Sequence, residues 1–87
     1  MAVVFIPSQM REMTGGVAKV TVPGASLRQV INNLDGEHPG MKAHLVEDDR
    51  INPLFSVAVD GEIIRLGLMH PVGPDSEVHF LPAMSGG

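Results

Sequence analysis

The fold of this chain is decided by residues 17–34, VAKVTVPGASLRQVINNL, in which a two-residue repeat gives way to a helical one. Apolar and polar side chains alternate over residues 17–22, which is typical of a half-buried strand. Pro23-Gly24 ends that strand, and Ser26 with Gln29 three residues later fits a capping box at the start of a helix. The apolar positions that follow have i, i+3, i+4 and i+7 spacing: Leu27, Val30, Ile31 and Leu34. This segment therefore predicts a strand followed by an amphipathic helix.

The residues before this segment predict a strand that pairs with it. Residues 2–6 are an apolar run that ends at Pro7, which indicates a buried strand. Between the two strands lies a polar loop at residues 7–16 that closes on the turn signal Thr14-Gly15-Gly16. Because the connection is short, we expect the strands at 2–6 and 17–22 to form an antiparallel hairpin.

The residues after the helix predict a less regular stretch. The helix should end by His38-Pro39-Gly40, since proline cannot continue it. Residues 41–46 are compatible with another turn or two of helix. Residues 47–50, Glu-Asp-Asp-Arg, are expected to be a charged surface loop.

Three strands are predicted in the C-terminal part. Residues 55–59 alternate, with Phe55, Val57 and Val59 expected on the core face. Asp60-Gly61 is a strong two-residue hairpin signal, so residues 62–65 should return as a fourth strand. Two further predictions complete the chain: an irregular segment with room for one tight helical turn at 66–75, and the last strand at 77–81.

The predicted order is strand, strand, helix, strand, strand, strand. It matches the arrangement of ubiquitin-like proteins, and the expected fold class is α+β: a ubiquitin-like β-grasp with a mixed sheet of four to five strands and one main helix packed on one face. The resemblance implies that the first and last strands run parallel in the sheet centre. We expect residues 1–81 to form this domain and residues 82–87 to form a flexible C-terminal Gly-Gly tail.

Composition excludes several classes of function. The chain has 87 residues, so a single domain is expected, and it has no cysteine for a thiolate nucleophile or a cysteine metal site. Its net charge of −4, six Lys and Arg, and lack of Trp and Tyr argue against nucleic-acid binding. No apolar run approaches the roughly 20 residues that span a bilayer, and the N-terminus lacks the basic region of a signal peptide. We therefore expect a cytoplasmic protein with no nucleic-acid or membrane partner.

The C-terminal segment, Pro82-Ala83-Met84-Ser85-Gly86-Gly87, is the most informative feature for function. Proline cannot donate a ladder hydrogen bond, so strand pairing should stop at Pro82 and leave five residues with a reach of roughly 17 Å. Glycine has no Cβ and can thread a narrow channel. A terminal Gly-Gly thus suits a carboxylate that is activated in the pocket of a partner enzyme, with Gly87 as the modified residue and Gly86, Ser85 and Met84 as the threading segment.

With these residues in hand, the chain resembles the MoaD/ThiS family of ubiquitin-like sulfur carriers. The resemblance is strongest in residues 77–87, an apolar strand followed by Leu-Pro, a small run and Gly-Gly. Residues 57–65 resemble the family's third-strand hairpin, and Ile6-Pro7, Arg11 and Thr14-Gly15-Gly16 resemble its N-terminal hairpin. The family includes the molybdopterin synthase small subunit, the thiamine sulfur carrier and a cysteine-biosynthesis carrier.

The resemblance implies a cycle in which the chain is a carrier and not an enzyme. A ubiquitin-activating-type adenylating enzyme would activate Gly87 with ATP and magnesium, a sulfur donor enzyme would convert the adenylate to a thiocarboxylate, and a sulfur-accepting synthase would take the sulfur. The carrier itself would bind no cofactor. Many members end in Val-Ala-Gly-Gly, where this chain has Met84-Ser85 before the glycines. The length of the chain favours the molybdopterin (molybdenum cofactor) or cysteine branch over the thiamine branch.

The strand alternation also predicts a docking surface. If Val4, Val78 and Phe80 point inward, four side chains of neighbouring strands point outward near the tail: Phe5, Ala58, His79 and Leu81. A small protein rarely exposes a contiguous apolar patch without use. We therefore expect this patch to dock the activating enzyme, the alternative being surface apolar residues with no function.

Other chemistries find less support. The four histidines fall in different predicted elements with no cysteine, so no metal site is expected. No set of nucleophile, acid and base converges, which argues against an independent enzyme. Two alternatives to the sulfur carrier stay open: a ubiquitin-like modifier conjugated to other proteins through Gly87, and a β-grasp interaction domain with an idle tail.

Overall fold

The structure, a computed structural model, describes residues 1–82, so the predicted threading segment lies outside the described residues. Seven strands, two α-helices and two 3₁₀ helices are described: β1 (Ala2–Phe5), a 3₁₀ helix (Ser8–Thr14), β2 (Lys19–Val22), α1 (Leu27–Glu37), α2 (Met41–Leu45), β3 (Val46–Glu47), β4 (Arg50–Ile51), β5 (Phe55–Val59), β6 (Glu62–Ile63), a second 3₁₀ helix (Gly67–Met69) and β7 (Glu77–Pro82).

The main sheet has five strands in the order β2-β1-β7-β5-β6. β1 pairs with β2 antiparallel and with β7 in parallel, and β7 pairs with β5 antiparallel. The first and last strands of the chain are thus parallel neighbours in the middle of the sheet. This confirms the predicted β-grasp topology, including the sheet order that only the resemblance had implied.

Helix α1 covers one face of the sheet. Ser26 Oγ accepts a hydrogen bond from the Gln29 N–H, as the capping box predicts, while Gln29 Oε1 accepts from the N–H of Ala25 and not of Ser26. The four predicted apolar positions of the helix are buried: Leu27, Val30, Ile31 and Leu34. They pack against the inner sheet face, where Val4 and Val78 have no exposed surface. Hydrophobic burial of this kind is the main stabilising contribution in a domain of this size.

The predicted loop at residues 7–16 contains the first 3₁₀ helix, which buries Met10 and Thr14. It ends at Gly15 in the left-handed conformation, and the Gly16 N–H donates to the Arg11 carbonyl at 2.7 Å. The polar sequence hid this helix because only two of its seven side chains are buried.

The predicted charged loop at 47–50 is in fact a tight turn between β3 and β4. Asp48 and Asp49 both have positive φ, 53° and 59°, a conformation that aspartate tolerates better than most residues. Arg28 of α1 forms a two-bond ion pair with Asp49, at 2.6 and 3.2 Å, and this pairing lowers the pKa of the Asp49 carboxyl. Without an Asn-Gly or Asp-Gly pair, the sequence carried no strong signal for this hairpin.

The last strand extends to Pro82, one residue beyond the predicted end at Leu81. The Asp60 N–H donates to the Glu77 carbonyl, so Asp60 and Glu77 are a hydrogen-bonded pair of the β5–β7 ladder. Along an antiparallel ladder, hydrogen-bonded pairs alternate with pairs that have no hydrogen bond between them. Counting from that pair, Phe55 and Pro82 face each other at a position without ladder hydrogen bonds. The missing N–H of Pro82 therefore costs the sheet nothing. Two other strands are shorter than predicted. β2 begins at Lys19 instead of residue 17, and β6 ends at Ile63 instead of residue 65.

Candidate functional site

The sheet face opposite α1 carries the predicted docking residues. Strand register aligns one residue from each of the five strands in a single row, called here the central row: Lys19, Phe5, His79, Ala58 and Ile63. Three of the four predicted docking residues, Phe5, His79 and Ala58, are members. The fourth, Leu81, lies on the same face two residues further along β7, opposite Ser56.

Two rings stack in the middle of the central row. The centroids of Phe5 and His79 are 4.0 Å apart with an interplanar angle of 9°. Lys19 Nζ lies 5.3 Å from the Phe5 centroid, within the range of a cation–π contact. His79 Nε2 is 3.6 Å from Glu77 Oε1, in a partly exposed pair whose attraction depends on protonation of the histidine. The two rings thus form a stacked pair on this face, flanked by Lys19 and Glu77.

The four predicted residues differ in exposure. Leu81 is 41% exposed, Phe5 and His79 are half-buried, and Ala58 is only 7% exposed although it lies outside the core cluster. Ala58 therefore forms the floor of the face between His79 and Ile63 and offers little surface itself.

Ile63 is a residue of this face that the sequence reasoning missed. It is 59% exposed and pairs with Ala58 across the β5–β6 hairpin. The signal was available, because a two-residue turn at Asp60-Gly61 places Val59 opposite Glu62 and Ala58 opposite Ile63.

A groove of about 360 Å³ lies where β7 ends. Its walls come from the first 3₁₀ helix and from the C-terminal ends of the central strands β1 and β7, and its lining includes Phe5, Pro7, Arg11, His79 and Pro82. Arg11 Nε donates to the Ile6 carbonyl at 3.2 Å, which fixes the guanidinium beside the end of β1. No carboxylate is among the groove's lining residues.

The opposite end of β7 is anchored by a turn. The Asp60 carboxylate accepts hydrogen bonds from Ser76 Oγ at 2.7 Å and from the Glu77 N–H at 3.0 Å. These bonds, that of Ser76 first, hold the pKa of the Asp60 carboxyl below its usual value. The start of β7 is thereby held against the β5–β6 turn, and with it the register that places His79 and Leu81.

The chemistry that the sequence assigns to Gly87, and the threading role of Gly86, Ser85 and Met84, fall outside the described residues. Within residues 1–82, no group of three or more His, Cys, Asp or Glu side chains is placed to hold a metal ion. No helix of this part of the chain is both long and apolar enough to cross a membrane.

The fold defines the chain as a ubiquitin-like β-grasp protein, and its sequence adds a C-terminal Gly-Gly. Residues 4–87 match the model of the ThiS family, and the chain belongs to that family. This confirms the resemblance to the MoaD/ThiS proteins.

The similar proteins include named sulfur carriers that align over nearly their whole length. The sulfur carrier protein CysO of Mycobacterium tuberculosis is 29% identical over 97% of this chain and 96% of its own length. In a crystal structure of the Amycolatopsis orientalis BexX/CysO complex, the matched chain has a TM-score of 0.92 and 32% identity, with full coverage of both chains. SAMP1 of Haloferax volcanii, at 24% identity and a TM-score of 0.72, shares the fold. The CysO relatives and the family match confirm the prediction of a carrier rather than an enzyme.

Proposed function

We propose that this protein is a sulfur carrier whose Gly87 carboxylate is adenylated and then converted to a thiocarboxylate. The observation that carries the proposal is the extent of the family match, which runs from residue 4 through Gly87 and so includes the Gly-Gly terminus. The CysO relatives, named as sulfur carriers, align over almost the whole chain.

The chemistry follows from the weakness of a carboxylate as an acyl donor. Attack of the Gly87 carboxylate on the α-phosphate of ATP gives an acyl adenylate and releases pyrophosphate. A sulfide equivalent from the donor enzyme then attacks the carbonyl carbon, AMP leaves, and one oxygen of the terminus has been replaced by sulfur. ATP and magnesium are bound by the adenylating partner, and this chain supplies only the terminus.

The outer face supports docking of that partner. Exposed Leu81 and His79 lie on the strand that leads to the C-terminal segment, and Phe5 of the neighbouring strand β1 stacks on His79. An enzyme that binds this face holds the start of the segment while its active site takes the end. In the proposed cycle a sulfur donor enzyme and a sulfur-accepting synthase are further partners, and the cycle operates in the cytoplasm.

Among the possible receiving pathways, the relatives favour the cysteine type. CysO carriers serve cysteine biosynthesis, whereas the molybdenum cofactor is one further possibility within the family. Both branches use the same terminus and the same activation step, so the proposal for Gly87 does not depend on the choice.

The test is an intact mass of the untagged protein after incubation with its adenylating enzyme, ATP, magnesium and a sulfur source. We expect the mass to rise by the difference between sulfur and oxygen, and the new group to react with a thiol-directed alkylating reagent. The control variant lacks Gly86 and Gly87 and should stay unmodified while keeping the same thermal unfolding curve.

Other outcomes separate the alternatives. Conjugates of higher mass that survive thiol reagents and contain an isopeptide bond at Gly87 would identify a protein modifier. An equal response of the full-length and the shortened protein in every assay would identify an interaction domain with an idle tail, and would refute the carrier proposal.

A further inference from the structure

The groove at the end of β7 has a cation in its lining and, among residues 1–82, no anion. Arg11 lines it, and no carboxylate of residues 1–82 lies within ion-pair distance of the Arg11 guanidinium. The other large concavity, between α1, α2 and the β3–β4 turn, is different, because its lining carries charges of both signs, three aspartates and Lys42. The groove therefore offers a partner a positive charge with no acidic residue in its own lining.

The position of Arg11 is set by the fold. Its Nε donates to the Ile6 carbonyl, while its own carbonyl accepts from the Gly16 N–H. The guanidinium is thus held through its Nε atom, and its two terminal nitrogens stay available for a ligand. A guanidinium held in this way binds a carboxylate through two parallel hydrogen bonds with little further loss of side-chain entropy.

The surroundings of Arg11 define what kind of group fits. Phe5, Pro7 and Pro82 give the groove apolar walls, and Phe5 and His79 also belong to the central row. The groove is continuous with the outer face of the sheet, which is the proposed docking face, and it opens where the C-terminal segment begins. A partner that binds the face reaches the groove with the same surface.

We propose that the groove receives an aspartate or glutamate side chain of the adenylating enzyme, which pairs with the Arg11 guanidinium while an adjacent apolar side chain of that enzyme covers Phe5 and Pro7. This inference rests on the proposed function and adds the partner chemistry that recognises the carrier. The pair fixes the end of β7, where the chain leaves the docking face, relative to the enzyme.

Binding measurements test the proposal with charge-matched variants. The dissociation constant of the adenylating enzyme used in the mass assay is measured by calorimetry for the wild type, Arg11→Gln and Arg50→Gln. Arg50 lies in β4, outside the groove, and its substitution removes the same charge. Because charge-assisted pairs are the stronger hydrogen bonds, we expect Arg11→Gln to weaken binding by about tenfold or more and Arg50→Gln to leave it within about twofold. Equal affinities for the two variants would overturn the proposal.

Two further measurements keep the result independent of folding and of the carrier role. In the wild type, the ¹⁵N side-chain resonance of Arg11 should shift on addition of the enzyme, while that of Arg50 should not. An unmoved Arg11 signal would overturn the proposed Arg11 pair. This measurement holds even if Arg11→Gln is unstable, because it uses the wild-type protein. Binding is measured without turnover, so an enzyme that binds through Arg11 but forms no thiocarboxylate refutes only the proposed function. If the enzyme does not bind the wild type, the proposal that the groove binds the enzyme is refuted.

Discussion

At the scale of single residues, Leu81 combines two properties that rarely occur together in so small a protein. Its apolar side chain is 41% exposed, and it stands one residue before Pro82, where β7 ends. Its neighbours on the inner face, Val78 and Phe80, are buried in the core. Leu81 therefore contributes surface and little core packing, which makes it the side chain best suited to test the proposed docking role of the outer face without disturbing the fold.

Leu81→Asp should weaken activation and leave stability almost unchanged. A carboxylate placed in an interface must lose its hydration on binding, and a truncated anchor residue typically costs more than 1 kcal/mol. We expect the KM of the adenylating enzyme for this protein to rise about tenfold, with an unaltered unfolding midpoint in urea. The matched control is Leu66→Asp, at a leucine that is 63% exposed and precedes the second 3₁₀ helix. A normal KM for Leu81→Asp would exclude the outer face as the docking site.

At the scale of secondary-structure elements, the β5–β6 turn sets the register of β7. Asp60 has a φ of 53° and is followed by Gly61 at 85°, as expected of a two-residue hairpin turn. The same Asp60 carboxylate binds Ser76 and the Glu77 N–H at the start of β7. One side chain thus connects the turn to the strand that carries His79 and Leu81.

Asp60→Asn should remove a stabilisation that depends on pH. Because the pKa of Asp60 is lowered in the folded state, its contribution is present above the unfolded pKa of about 3.9 and is lost as the pH falls through the folded value. Asparagine also tolerates positive φ, so the backbone is preserved. Urea unfolding should show a deficit at neutral pH that shrinks as the pH is lowered below about 4.

The control for this experiment is Asp75→Asn, at an exposed position next to Ser76. It removes the same charge and should leave the free energy of unfolding close to the wild-type value at neutral pH. A deficit for Asp60→Asn that stays constant over the whole pH range would contradict an ionised carboxylate as the source.

At the scale of the whole molecule, one face of the sheet is packed in the core and the other is the proposed docking face. Its inner face packs on α1, where Leu34 and Ile31 are fully buried, and its outer face carries the central row and Leu81. β7 belongs to both, since Val78 and Phe80 point to the core and His79 and Leu81 to the outside. A defect in one face should therefore be separable from a defect in the other.

Leu34→Ala should lower stability and spare activation. Large-to-small substitutions of fully buried leucines cost about 2–5 kcal/mol, a large share of the 5–15 kcal/mol typical of a domain. We expect a clear fall in Tm, and a wild-type KM for the adenylating enzyme when the assay is run well below that Tm. The opposite pattern, normal stability with a raised KM, belongs to Leu81→Asp, and finding it for Leu34→Ala would show that the two faces are not independent.

Much of the fold could be predicted from the sequence because its signals are local. The helix from Leu27, its Ser26 cap, the Asp60-Gly61 turn and the inward positions Val57, Val78 and Phe80 each follow from spacing within a few residues. The Gly-Gly terminus and the absence of cysteine are likewise facts of the sequence alone, and they direct the functional proposal to Gly87.

The tertiary structure decided what depends on residues far apart in the chain. The Phe5–His79 stack joins positions 74 residues apart, and the burial of Ala58 depends on its neighbours in the central row. The groove beside Arg11 exists because the 3₁₀ helix packs next to the end of β7, and Pro82 stays in the ladder because its partner is Phe55 at a position without ladder hydrogen bonds. Sequence periodicity reports which side of its own element a residue occupies, whereas contacts between elements depend on packing and register, which are fixed only when the whole chain has folded.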